Sequence, residues 1–211
     1  MKRALAPQED NYMGNTKLIA VTGLARSGKD SFASEIKRQV TDLAPDKSVG
    51  IFAFAEGVRK EIQFFLQENF SISAWTEEEE EKKIIRPFLV AYGNAKRDLS
   101  KNRYWIEKLE KQIQQRQCDV SIISDLRFAE NETDELAWFK KQNGLHIHLD
   151  RLVDGQEMKA PNEFEEKNNP KLREAADVVL KMEYEESLDA FKKTVKTNVE
   201  NILEKEIGRI L

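Results

Sequence analysis

The chain has 211 residues, of which 34% are charged; 34 Lys and Arg stand against 38 Asp and Glu, for a net charge of −4. That near balance excludes the broad basic surface that a nucleic-acid polymer requires, and no apolar run approaches membrane-spanning length. The single cysteine, Cys118, excludes an intrachain disulfide and fits a reducing cytoplasm.

Residues 1–15 carry Pro7, Gly14 and scattered polar side chains, and they read as a loose tail without the apolar core of a signal peptide. One domain is expected over 16–211. Its first element is an apolar strand over 18–21, which runs into Gly23-Leu-Ala25-Arg26-Ser27-Gly28-Lys29. The spacing is that of a phosphate-binding loop, G-x-x-x-x-G-K. Gly23 and Gly28 let the backbone curl so that successive N–H groups face inward toward an anion. The helix expected over 31–42 aims its positive end at the same place. Lys29 then reaches the outer phosphates as a point charge. The general pattern has Ser or Thr after the lysine as a Mg²⁺ ligand. Here Asp30 stands there and Ser31 follows, so a carboxylate and a hydroxyl are the candidate metal ligands.

Beyond the loop, short apolar runs alternate with helical ones. Strands are expected at 49–54, 120–124, 146–150 and 177–181, and helices at 57–69, 76–92, 103–115, 131–142 and 187–207. The alternation predicts a parallel five-stranded sheet flanked by helices, with ligands at the strands' C-terminal edge. Residues 56–118 hold several helices where one crossover would suffice, as an inserted substrate-holding lobe would. The glutamate run 77–81 reads as a solvated helix start, with Thr76 as N-cap and Glu79 completing a capping box. His146 and His148 share one face of a strand; with no third ligand in view they read as satisfied core histidines.

Two further clusters carry chemistry. The run over 120–124 ends in Asp125, placed to hold Mg²⁺ or its waters beside the phosphate loop, and Arg127 follows within reach of a phosphoryl group. In the inserted lobe, Arg86 and Arg97 flank an apolar stretch ending in Tyr92-Gly93, and Trp105 comes next. The arginines are candidates for gripping a second phosphate, and Tyr92 and Trp105 for shaping a base pocket. Surface cations and core aromatics give the same pattern. Residues 151–175 sit where a lid closes over a bound nucleotide, with Arg151 its preferred arginine; a solvated loop is the alternative.

Together these motifs resemble phage-type deoxynucleoside monophosphate kinases. The resemblance rests on Ser27-Gly-Lys-Asp30, on Phe54-Ala-Glu56-Gly57-Val-Arg-Lys60, on the Arg86 to Arg97 stretch with Trp105, and on Ser124-Asp-Leu-Arg-Phe128 with Asn131-Glu132. Glu56 and Gly57 replace the family's Asp and Pro, and one extra residue separates Phe128 from Asn131. The resemblance implies a three-layer P-loop NTPase fold with a helical acceptor-binding insertion and a short lid. It implies Mg²⁺-ATP as donor and a deoxynucleoside monophosphate as acceptor. Phe54, Glu56, Arg86, Tyr92, Arg97, Trp105 and Arg127 would then contact the acceptor. It permits a homodimer and places the protein in a bacterial or phage-infected cytoplasm. Another P-loop small-molecule kinase, of the phosphomevalonate kinase kind, and a non-catalytic nucleotide-binding module fit the same loop.

Overall fold

The computed structural model describes residues 14, 16–185 and 187–211. Apart from Gly14, the tail expected over 1–15 lies outside the described residues. The central strand is β1 (Lys17–Gly23), buried from Leu18 to Thr22 and feeding helix α1 (Lys29–Leu43). Next come β2 (Val49–Phe52), the three inserted helices α2 (Phe54–Phe70), α3 (Glu79–Leu99) and α4 (Arg103–Arg116), and β3 (Val120–Ile123). The second half holds α5 (Glu135–Lys141), β4 (Leu145–Val153), β5 (Gln156–Glu157), α6 (Glu163–Glu174), β6 (Val178–Glu183) and α7 (Leu188–Ile210).

β2, β3, β1, β4 and β6 lie side by side in that order and are all parallel. Ile19 pairs with Ile122 on one side and Leu145 on the other. The side chains of β1 alternate between two cores. Ile19 and Val21 pack with Phe32, Ile36 and Val40 of α1 and with Val195, Val199 and Leu203 of α7. Leu18 and Ala20 pack with Ile106, Leu109 and Ile113 of α4 and with Phe139 of α5. Each fully buried Ile or Leu contributes roughly 1.5–3 kcal/mol, so the two layers pin the sheet between them. A third, smaller core joins Ile62 and Leu66 of α2 to Ile85 of α3 at the tip of the insertion.

The sheet carries a sixth, two-residue strand that the sequence reading lacks. β5 runs antiparallel to the end of β4 through a turn at Asp154 and Gly155, whose φ values are 53° and 73°. Asp-Gly with two positive φ angles is the primed hairpin turn that matches strand twist. Leu152 also pairs with β6, so β5 takes the edge of β4 that β1 leaves at Gly23.

Several helix boundaries differ from expectation: α2 begins at Phe54 rather than 57, and α3 runs on to Leu99 rather than ending at 92, carrying Arg86 and Arg97 on one helix. α3 starts at Glu79 rather than Thr76, because the Thr76 hydroxyl accepts from Glu78 N at 3.3 Å and donates to Glu81, a local turn that competes with the helix. The capping box expected there does not form. α5 starts at Glu135 because Asp134 accepts from Asn131 N (2.8 Å) and Ala137 N (3.3 Å), folding the preceding residues into a loop. Half of the segment expected as a lid loop is helix α6. Asn162 caps it by accepting from Glu165 N at 2.9 Å, Glu163 and Glu166 favour its positive end, and Lys171 and Arg173 its negative end.

Candidate functional site

The glycine-bracketed loop closes at the C-terminal edge of the sheet. At Gly23 φ is 141°, and a Cβ would stand 2.5 Å from Leu149 O and 2.8 Å from Ser27 Oγ. At Gly28, the N-cap of α1, φ is 93° and a Cβ would stand 2.7 Å from the Phe191 ring. Neither position admits a side chain, which is why the curl is made of glycine. Arg26, exposed at the turn, is itself left-handed at φ 66°. Ser27 is wholly buried, and its Oγ has no hydrogen-bond partner among the described residues. Lys29 is buried and donates from Nζ to Leu24 O at 2.6 Å. Burial, helped by repulsion from Arg127, lowers its pKa to about 8; Glu165, Asp30 and Asp125 pull the other way. Asp30 and Ser31 are exposed in the first turn of α1.

Asp125 stands at the end of β3, as expected, but its oxygens have work the sequence did not reveal. Oδ1 accepts from Phe54 N at 2.7 Å and Oδ2 from Ala55 N at 2.8 Å. These are the first two amides of α2, whose own N-cap, Ala53, has no side-chain acceptor. An anion at a helix N-terminus is stabilised by the orphan amides and the dipole. Burial pushes the Asp125 carboxyl up; the Ala55 amide and the Arg127 charge hold it down. Two residues on, Arg127 is exposed and lines a small hollow with Gly23, Leu126, Phe164, Glu165 and Leu172.

Several expected acceptor contacts are structural here. Arg97 is buried, stacks 3.2 Å over the Phe128 ring and faces Glu135 at 3.5 Å. Glu135 in turn accepts from Arg127 N (2.8 Å) and Phe128 N (3.2 Å). Burial pushes the Glu135 carboxyl up, while the Arg127 amide and the Arg97 charge hold it down. Arg97 thus braces the 127–128 backbone through Glu135. Phe54 packs edge-on against Trp138, and Trp105 lies in the core and donates from Nε1 to Gly93 O at 2.9 Å. Gly57 leaves room for that indole, since a Cβ would be 3.3 Å from its ring. Glu56 pairs with Lys60 at 2.5 Å. Tyr92 is half-buried and donates to Glu61 at 2.9 Å, and Arg86 is exposed on α3. Arg151, expected in a lid, is buried on β4 with Phe191 at 4.7 Å and Tyr184 at 5.3 Å.

The structure thus gathers Gly23, Ala25, Ser27, Gly28, Lys29, Asp30, Asp125 and Arg127 at one sheet edge. Directly behind the loop lies a buried polar string. The Thr22 hydroxyl is 2.8 Å from both His146 Nε2 and His148 Nδ1. His148 Nε2 faces Asp150 at 3.4 Å, and Asp150 accepts from Arg173 of α6 at 2.8 Å. Burial lowers both histidines to about 4, so they are neutral at neutral pH.

Three solved structures align with most of the chain. A shikimate kinase from Bacteroides thetaiotaomicron aligns with a TM-score of 0.45 at 13% identity, over 89% of this chain and 98% of its own. A thymidylate kinase from Ehrlichia chaffeensis aligns at 0.43 and 11%, over 90% and 98%. A sugar kinase from Janibacter sp. HTCC2649 aligns at 0.41 and 13%, over 93% and 99%. No family model matches the chain, and no curated protein does. What the site can do follows from its own residues.

The donor set fits a polyphosphate: a curl too tight for any Cβ, an unpartnered buried hydroxyl at Ser27, and the converging charges of Lys29 and Arg127. Among the described residues no three His, Cys, Asp or Glu side chains form a metal cage. A Mg²⁺ ion that keeps waters and phosphate oxygens needs only one or two carboxylates, and Asp30 offers one. The residue that does not fit an anion is Glu165 of α6, whose Oε2 accepts from the Ala25 amide at 2.7 Å. Sequence reading missed it, although Asn162 and Glu165 have the N-cap and N3 spacing of a helix start.

Proposed function

We propose that the protein is an ATP- and Mg²⁺-dependent phosphotransferase acting on a deoxynucleoside monophosphate. The observation that carries the reading is the convergence of Lys29 and Arg127 on a loop whose two glycines admit no side chain. The helical insertion between β2 and β3 borders the same edge, since Asp125 ties the start of α2 to the end of β3. The deoxynucleotide acceptor is supported by the sequence resemblance around Phe54–Lys60 and Ser124–Glu132.

Bound Mg-ATP supplies the γ-phosphoryl group and a divalent charge across its outer oxygens. The 24–29 backbone and Lys29 hold the donor phosphates. Asp30 and Ser31 would hold the metal from the first turn of α1. Asp125, with both oxygens on α2 amides, serves chiefly to fix the acceptor lobe against the loop. Arg127 offsets charge between donor and acceptor. A phosphate monoester is already nucleophilic at neutral pH, so no side chain need act as general base. Catalysis then rests on positioning and charge.

The test is ADP release from Mg-ATP with dAMP, dCMP, dGMP, dTMP, the ribonucleotides and no acceptor. Acceptor-dependent release with a deoxynucleotide, lowered about 10²–10³-fold in Lys29→Ala, is the expected result. Release no faster than without acceptor, in protein that binds ATP, would overturn the transferase reading.

A further inference from the structure

The Glu165 carboxylate occupies the place of a phosphate oxygen. Its Oε2 accepts from Ala25 N at 2.7 Å, inside the glycine-bracketed loop. One N–H cannot serve a carboxylate and a phosphate oxygen together, and two anions at that distance repel strongly where solvent is excluded. Glu165 is at the third position of α6, where a glutamate ordinarily turns back to its own N-cap. Here only Oε1 stays local, 3.3 Å from Asn162 Nδ2. The other oxygen reaches across to the loop.

α6 is held in this position at both ends. At its N-terminal half, the Phe164 ring lies 4.7 Å from Phe128. The buried Asn168 accepts from Ala129 N at 2.9 Å and donates to Glu130 at 3.2 Å, and Lys167 pairs with Glu130 at 3.2 Å. At its C-terminal end, Arg173 bonds Asp150 and Leu172 enters the core. The second anchor is independent of the loop, so the first turn of α6 can leave while the last turn stays.

Taking the loop as a phosphate site, we propose that Glu165 sets its affinity as a built-in competitor: the loop accepts a phosphate only when the first turn of α6 withdraws the carboxylate. Glu165 meanwhile offsets the charge of Lys29, and Arg127 lines the same hollow; these are the cations the ligand must reach.

The experiment measures ADP binding by calorimetry for the wild type, Glu165→Ala, Glu165→Gln and Asn168→Ala, each checked for its fold by circular dichroism. Glu165→Ala is expected to bind about tenfold more tightly. Glu165→Gln, which keeps the side-chain volume and serves if the alanine variant does not fold, is expected to gain less. Asn168→Ala, which loosens the docked helix without touching the loop, is also expected to gain. Saturating ADP should raise amide hydrogen exchange over residues 163–168 of the wild type. Equal or weaker ADP binding by both Glu165 variants, or unchanged exchange at saturation, overturns the competitor. Failure of the folded wild type and variants alike to bind ADP would overturn the phosphate-site reading instead.

Discussion

The two faces of the sheet are built on different physics. Toward α1 and α7 the buried side chains of β1, β3 and β4 are Ile19, Val21, Val120, Ile122, Leu145, Ile147 and Leu149, met by aliphatic side chains and Phe32. Toward α5 and α6 the same strands bury Thr22, His146, His148 and Asp150, and the loop after β3 buries the Arg97–Glu135 pair and Asn168. The first face is non-directional: any well-packed aliphatic set serves. The second adds paired polar groups, each costly if its partner is removed, to the apolar core of Leu18, Ala20, Leu109, Ile113 and Phe139. Both faces therefore carry an apolar core, and what distinguishes the second is the polar string from Thr22 to Asp150 that ends on Arg173 of α6.

The largest expected effect is on the polar side. Arg97→Ala leaves the buried Glu135 with only the Arg127 and Phe128 amides as partners and should cost about 1–3 kcal/mol in urea unfolding. Replacing Glu135 as well should not recover that loss, because those two amides then lose their acceptor. A single variant as stable as the wild type would show that the pair is not what holds the 127–128 backbone.

The histidines extend the contrast to pH. Burial depresses both from the ordinary 6.5 to about 4. The unfolded chain therefore binds protons that the native protein does not as pH falls below 6.5, and stability is lost until about pH 4. From pH 6.5 to 5 the loss is roughly 2 kcal/mol per histidine. Glu135, pushed upward by burial, acts in the opposite sense. The informative quantity is thus the difference between the wild type and His146→Gln, whose unfolding free energy should fall less steeply over that range. Identical slopes would mean that His146 titrates normally in the folded protein.

Asp125→Ala removes the anionic cap from α2 and should cost about 1–2 kcal/mol, together with faster hydrogen exchange at Phe54 and Ala55. Unchanged exchange there would assign the carboxylate to the metal alone. On the aliphatic side, Ile147→Val should cost only about 0.5–1.5 kcal/mol and leave nucleotide binding untouched. A change in ADP affinity in that variant would break the division between the two faces.

How much of this was legible differs along the chain for stated reasons. The apolar run at 18–21 and the largely apolar 120–124 announced parallel strands, because strands buried on both faces need no polar alternation; 146–150 was legible instead through its alternation of His, Ile, His, Leu and Asp. Gly23, Gly28 and Lys29 were legible because the curl excludes a Cβ wherever it occurs. The hairpin turn at Asp154-Gly155 carried its signal openly and was passed over. α6 was obscured by Pro170 and its polar run, since only Asn168 and Leu172 of that helix are buried and no apolar stripe results.

By itself, the sequence determined the five parallel strands, most of the helices, the glycine-bracketed loop and the positions of its charges, since these depend on local periodicity and on backbone room. Tertiary structure decided what the polar side chains do. That Arg97 serves Glu135, that Asp125 caps α2, that Arg151 lies beneath aromatic rings and that Glu165 holds the Ala25 amide all require partners 33 to 140 residues away. A charged side chain announces its charge from any position in a sequence. Its partner is known only when the fold has brought the two together.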